Sequence, residues 1–324
     1  MERSVMEKLK NSDDPSVRYI YYRDCCDCEP EALIPIRNQV SSSPRVRKML
    51  GFQKEDGRFP WHAYAKWRGA FWTLLVLADL GYPEGDEKLI PLREQVFDWL
   101  FDETRLKRVP CINGRWRRCA LQESGGVYSM IKLGLADSRL ERLVDLLLKW
   151  QWPDGGWNCD KKPSASHSSF FESLIPLRGM NTYAQLTGDP RAKDAVERVS
   201  EMFLSRRLFK RLSNGQVILD AFGQFAYPPF WHYDVLTALM AMHEIGRLDD
   251  PRCSDALDSL EAKRLPDGGF AAEVKYYKMT QRETSGVSAV EWGPVSSTKM
   301  NEFVTARALG VLHHAGRIEA AAAQ

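Results

Sequence analysis

The sequence lacks long apolar runs, a one-sided charge and a cysteine framework, and each absence excludes a class of protein. No stretch approaches the roughly 18 consecutive apolar residues of a membrane-spanning helix, and the start, MERSVMEKLKNSDD, has no apolar core of the kind a secretory leader needs. The expectation is a cytoplasmic protein without a transmembrane segment. Lys and Arg number 45 against 43 Asp and Glu, a formal charge of +2. With no basic stripe either, nucleic acid is not an expected partner. The seven cysteines, at 25, 26, 28, 111, 119, 159 and 253, are odd in number and form no secreted disulfide pattern, so they read as reduced thiols. Cys25, Cys26 and Cys28 have no second pair and no nearby His to complete four ligands, which favours clustered helix cysteines over a metal site. What is present is a globular balance, 44% hydrophobic and 27% charged, with abundant aromatics: 10 Trp, 11 Tyr and 14 Phe in 324 residues.

The chain repeats itself. A Gly-containing turn, usually with an aromatic, recurs as EDGRF (55–59), NGRW (113–116), PDGGW (153–157), NGQV (214–217) and PDGGF (266–270). Successive turn glycines at 57, 114, 155, 215 and 268 are 57, 41, 60 and 53 residues apart, the spacing of a helical hairpin plus loop. After most turns comes a segment with few polar positions. Residues 70–80 (AFWTLLVLADL) hold only Thr73 and Asp79; 230–245 and 300–312 are similar, and 170–186 less cleanly so. Helices apolar on most faces are buried between other elements. They alternate with amphipathic segments, such as the stripe Leu140, Leu143, Val144 and Leu147. Asp14-Pro15, Asp189-Pro190 and Asp250-Pro251 read as N-caps of the amphipathic helices, and Gly81, Gly188 and Gly246 as stops of the preceding ones. The expected fold is all-α: a single-domain α/α toroid of five to six inner helices ringed by outer ones. Residues 51–324 form the toroid, and residues 1–50 are helices that pack on the ring or complete it.

WQWPDGGWNCD (150–160), LPDGGF (265–270) and EDGRF (55–59) resemble the Gln-Trp repeats of terpenoid cyclases and the related repeats of protein prenyltransferase β subunits. PFWHYDVLTAL (229–239) and KMNEFVTARALGVL (299–312) look like inner helices of squalene-cyclase-like proteins. The resemblance covers roughly residues 50–315 and implies an α/α toroid. Two motifs of those enzymes are missing. The Asp-x-Asp-Asp proton donor of class II cyclases does not occur, and Asp249-Asp250 belongs to a helix start. The Asp-x-Cys zinc element of the prenyltransferases is absent too: the matching starts carry His167-Ser168-Ser169 and His232-Tyr233-Asp234. The resemblance is therefore to a squalene-cyclase-like branch that lacks the Asp-x-Asp-Asp motif.

Candidate chemistry is expected where inner helices begin, around one mouth of the ring. Those starts carry Lys66-Trp67-Arg68, Gln122-Glu123, His167-Ser168, Trp231-His232-Tyr233-Asp234 and Lys299-Met300-Asn301-Glu302. Convergent polar groups before apolar helices read as a ligand site, against the plain alternative of caps and packing. His232, Asp234, Tyr233, His167 and Glu302 are the candidate acid–base residues; Trp67, Arg68, Trp231, Lys299 and Asn301 are the candidate substrate contacts. No cofactor is expected. Zinc or magnesium on Cys159, Asp160, His167 and His232 is the alternative, since these offer zinc-type ligands without a recognised spacing. The long connection 271–298 is a candidate lid. The functional expectation is an enzyme acting on an apolar, isoprenoid-like small molecule in the central cavity. A polysaccharide-lyase-like enzyme and a non-catalytic binding scaffold are the alternatives. Substrate and oligomeric state are left open.

Overall fold

The computed structural model describes residues 2–26 and 28–319. Its helices are α1 (Glu2–Lys10), α2 (Pro15–Cys25), α3 (Pro30–Ser41), α4 (Pro44–Leu50), α5 (Ala70–Leu80), α6 (Ile90–Leu100), α7 (Glu103–Lys107), α8 (Leu121–Lys132), α9 (Arg139–Trp150), α10 (Phe170–Thr187), α11 (Pro190–Leu204), α12 (Val235–Glu244), α13 (Ser254–Glu261) and α14 (Glu302–His314). The strands described are β1 (Cys111–Ile112) and β2 (Arg115–Trp116), an antiparallel pair joined by Asn113-Gly114. Both turn residues have positive φ, 51° and 71°, as a two-residue hairpin turn requires.

Six helices close a ring. α5 packs on α8, α8 on α10, α10 on α12, α12 on α14, α14 on α2, and α2 back on α5. α6, α9, α11 and α13 lie outside, each against inner neighbours, and α3 covers α2. The structure is thus an all-α toroid. Inner helices are buried nearly all round: α5 keeps Ala70 to Leu77 and Leu80 from solvent. Outer helices bury one stripe, as α9 does with Leu140, Leu143, Val144, Leu147 and Trp150. The one misplaced cap is Asp14, which accepts from Ser16 N at 2.9 Å and starts α2, an inner helix rather than an outer one. α2 carries no long apolar run because Arg18, Arg23 and Asp24 interrupt it.

The repeat turns hold the two layers together. The Gln151 side chain donates to Gly155 O at 2.7 Å and to Ala195 O of α11 at 3.0 Å, while Trp157 Nε1 donates to Leu147 O of α9 at 3.0 Å. Gln53 repeats the pattern toward Gly57 O and Lys88 O, at 2.8 and 3.0 Å. Gly155 has φ 98°, and a Cβ there would stand 2.1 Å from Arg198 O, so only glycine lets the turn sit on α11. Gly179 plays a similar part in the ring: a Cβ would meet Ser124 O at 2.5 Å, and its absence lets α10 approach α8 closely.

Candidate functional site

The ring has two different ends. At the end where the inner helices begin, the residues 227–232 fold into the bore. Phe230 stacks on Trp67 at 4.0 Å, and Trp67 Nε1 donates to Tyr276 O at 2.7 Å. His232 is sandwiched between Trp231 and Tyr276, at 3.9 and 3.3 Å between ring centres, and its Nδ1 bonds Pro229 O at 3.0 Å. Burial pushes its pKa down to about 4. Tyr276 belongs to the long connection 271–298, which also ties to the 66–67 segment through Trp67 N to Val287 O and Gly286 N to Lys66 O. The connection therefore closes this end.

The expected site residues at this end have local partners. Asp234 caps α12 in a reciprocal box with Thr237, accepting from Thr237 N at 2.7 Å; burial raises its pKa to about 6. Tyr233 donates to Leu208 O and packs among Phe170, Phe203 and Phe222. Asn301 caps α14, and Glu302 accepts from Ser12 Oγ at 2.7 Å. The Arg68 guanidinium lies over Trp61 at 4.4 Å. Trp231 meets Phe171 edge-on. His167, Asp160 and Lys299 are exposed. Trp67, Trp231 and His232 are thus brought together as an aromatic plug, while His167, Lys299, Asn301 and Glu302 are engaged or exposed elsewhere. Of the alternative metal set, Cys159 is not joined to His167 or His232: its Sγ lies against Glu172 and Cys119.

Below the plug an apolar chamber of about 40 Å³ remains, lined by Leu75, Val76, Leu174, Ile175, Tyr227 and Met240 among others. It adjoins a much larger cavity at the opposite end, about 410 Å³, reached by the C-terminal parts of all six inner helices. Asp79, Arg178, Met240 and Arg307 border both spaces. Arg178 organises the wall. Its Nε and Nη2 donate to Glu244 at 2.8 Å each, and Nη2 also reaches Asp79 Oδ1 at 2.9 Å and Tyr128 Oη at 2.6 Å. Tyr128 Oη in turn donates to Asp79 Oδ1 at 2.9 Å. Arg307 Nη2 lies 3.6 Å from Asp79 Oδ2. Burial works to raise the Asp79 pKa, but Arg178 and Arg307 overcome it and hold the carboxyl at about 2. Burial pushes the Tyr128 hydroxyl well above its usual value, so it stays protonated.

Reading the inner-helix starts missed this cluster, although a signal existed. Asp79, Tyr128, Arg178 and Glu244 each lie seven to nine residues past the start of their helix. At 1.5 Å per residue that is a common depth of roughly 10–13 Å along parallel helices. Asp79 and Arg178 also stand among apolar residues, where a buried charge demands partners.

No family model matches the chain, and no curated protein matches it. Among solved structures it is similar to a type II terpene cyclase from Scytonema in complex with the product merosterolic acid A. Sequence identity is 12%, the alignment covers 98% of this chain and 100% of that one, and the TM-score is 0.41.

Proposed function

We propose that the charged cavity is the functional site, and that the protein is an enzyme acting by proton transfer on a small polar molecule carrying a carboxylate or phosphate. One observation carries the reading. Each carboxylate of the cavity wall is already paired: Asp24 with Arg23, Glu84 with Arg37, and Asp79 and Glu244 with Arg178. Among the described residues Lys132 makes no salt bridge, and Arg307 Nε is buried without a partner. The unused capacity of the site is therefore donor and cationic, which suits an anion. A volume of about 410 Å³ lies in the range of small-molecule sites and suits a short substrate. The apolar chamber of about 40 Å³ is far too small for a whole isoprenoid and gives an apolar group only a foothold.

In this reading Lys132 and Arg307 hold the acidic group. Tyr128, held protonated by burial, is the proton donor; Arg178, 2.6 Å from its oxygen, offsets part of the burial cost of the phenolate that donation leaves, and solvent reprotonates it. Asp79 orients the hydroxyl. The cyclase-like alternative rests on the apolar chamber adjoining the charged cavity.

The test is a thermal-shift and calorimetric panel of sugar acids, dicarboxylates, phosphate esters, prenyl diphosphates and neutral isoprenoid alcohols. Acids of sugar size should bind, and any acid turned over in heavy water should carry a solvent deuterium in its product with wild-type protein and show no turnover with Tyr128→Phe. Binding of neutral isoprenoids with no response to any acid would sink the proposal and favour the cyclase-like one.

A further inference from the structure

We propose that Cys119, Cys159 and Glu172 form a site for a thiophilic divalent cation of the zinc type, with one coordination position left open. The site is separate from the charged cavity and independent of the function assigned to it. It lies at the plugged end, where Cys119 precedes α8, Cys159 follows the Gly-Gly-Trp turn, and Glu172 sits in the first turn of α10.

Geometry is the first argument. One ligand atom from each residue lies within 4.8 Å of the other two, and Cys159 Sγ is 3.3 Å from Glu172 Oε1. Ligand atoms around a tetrahedral zinc, with bonds of about 2.3 Å to sulfur and 2.1 Å to oxygen, stand about 3.6–3.8 Å apart. Closing the longest edge takes about 1 Å, within reach of side-chain rotation.

The second argument is an unmet need. Glu172 Oε2 is buried with no hydrogen-bond partner among the described residues. The contrast with Glu123, also in the first turn of an inner helix, is instructive. Glu123 is fully buried, yet Arg118 and Arg105 meet it at 2.5 and 2.9 Å. Among the described residues Glu172 has no such arginine; two thiols stand where the cation would be. A carboxylate in that position needs a counter-charge, and a metal between it and the sulfurs supplies one while binding displaces the thiol protons to solvent.

Donor chemistry is the third. Two sulfurs and one carboxylate select a soft or borderline cation over magnesium or calcium. Three protein ligands with a free fourth position are the pattern of a reactive rather than a closed structural zinc site. Cys119 and Cys159 are each partly exposed, so a cation has a route in. Tyr64 lies within electrostatic reach of all three groups.

The experiment uses the full-length protein, reduced and stripped with chelator, titrated with Co²⁺ and then Zn²⁺. One equivalent of Co²⁺ should bind per chain and give thiolate-to-cobalt charge-transfer absorption. That absorption should fall by about half in Cys119→Ser and in Cys159→Ser, and Glu172→Gln should weaken binding by about tenfold or more. A second measurement needs no variant. In wild-type protein, one equivalent of Zn²⁺ should slow alkylation of Cys119 and Cys159 by about tenfold or more while leaving exposed Cys111 unchanged, as thiolates held by a metal lose their nucleophilicity. No stoichiometric metal after reduction, equal protection of Cys111, or a Cys119–Cys159 disulfide as the only state the pair adopts would each overturn the proposal.

Discussion

The two ends of the toroid treat polar residues differently. Where the inner helices begin, Asp14, Asp234 and Asn301 face unsatisfied backbone N–H groups and are taken up as caps. Rings of Trp67, Phe230, Trp231, His232 and Tyr276 then fill the bore. Where the inner helices end, the charged groups project from within the helices and bind one another across the cavity. A side chain engaged by its own helix is not available to a ligand. One engaged across open space can exchange its partner for one.

The largest effect that would sharpen this contrast is expected at Arg178. Arg178→Ala leaves Glu244 without its guanidinium and Asp79 with the Tyr128 hydroxyl and the more distant Arg307. The loss should be about 3 kcal/mol, the low end for a broken buried pair because the cavity admits water. Urea denaturation measures it, and a loss under about 1 kcal/mol would mean that the cavity wall is not held by this cluster.

The plug predicts a pH dependence. Asp234 has a folded value of about 6, above its unfolded value of about 3.9. Its contribution is present in full below the unfolded value and lost as pH rises through about 6. His232 runs the other way: its folded value of about 4 lies below the unfolded 6.5, so its contribution is lost as pH falls toward 4. The two oppose each other between pH 4 and 6. Asp234→Asn keeps a capping acceptor without the charge, and should stabilise the protein by about 1–3 kcal/mol at pH 8 and little at pH 4. It should also uncover the fall due to His232 below pH 6. Equal effects at both pH values would show that the carboxyl is not ionising in this window. Asp79 differs in sign from Asp234: held at about 2, its contribution persists until pH falls from about 4 toward 2.

The smallest stability effect belongs to Lys132. Lys132→Ala should change stability by no more than about 0.5 kcal/mol while abolishing the binding of acids. The matched change at the other end, His232→Ala, should do the reverse, destabilising by about 1–3 kcal/mol through lost stacking and the Pro229 hydrogen bond, with no effect on ligands. If both variants bind acids as wild type does, the assignment of one end to stability and the other to function breaks.

The ring itself was legible in the chain. The apolar run 70–80, the stripe through Leu140 and Leu147, the caps at Asp189 and Asp250 and the stops at Gly81 and Gly188 correspond to helices, boundaries and layers in the structure. The site was less so. Polar residues before apolar helices suit a cavity mouth and an N-cap equally well, and nothing local separates the two for Asp234 or Asn301. Cys159 was marked by its neighbours in sequence, Asp160 and His167, yet its partners are Cys119, forty residues earlier, and Glu172, inside the next helix.

The sequence alone determined most of the helices and their layers, α2 excepted because charges interrupt its apolar face, and that glycine turns tie the layers, because apolar periodicity, caps and positive-φ turns act over a few residues. Tertiary structure decided which end of the bore stays open. That choice depends on the 227–232 segment and the connection 271–298 meeting across the ring, and on Asp79, Tyr128, Arg178 and Glu244 arriving from four different helices at a shared level, with Arg307 reaching Asp79 from a fifth. Neither is a property of any single stretch of chain: the first requires packing between distant loops, and the second requires charges of opposite sign to find one another where water is scarce.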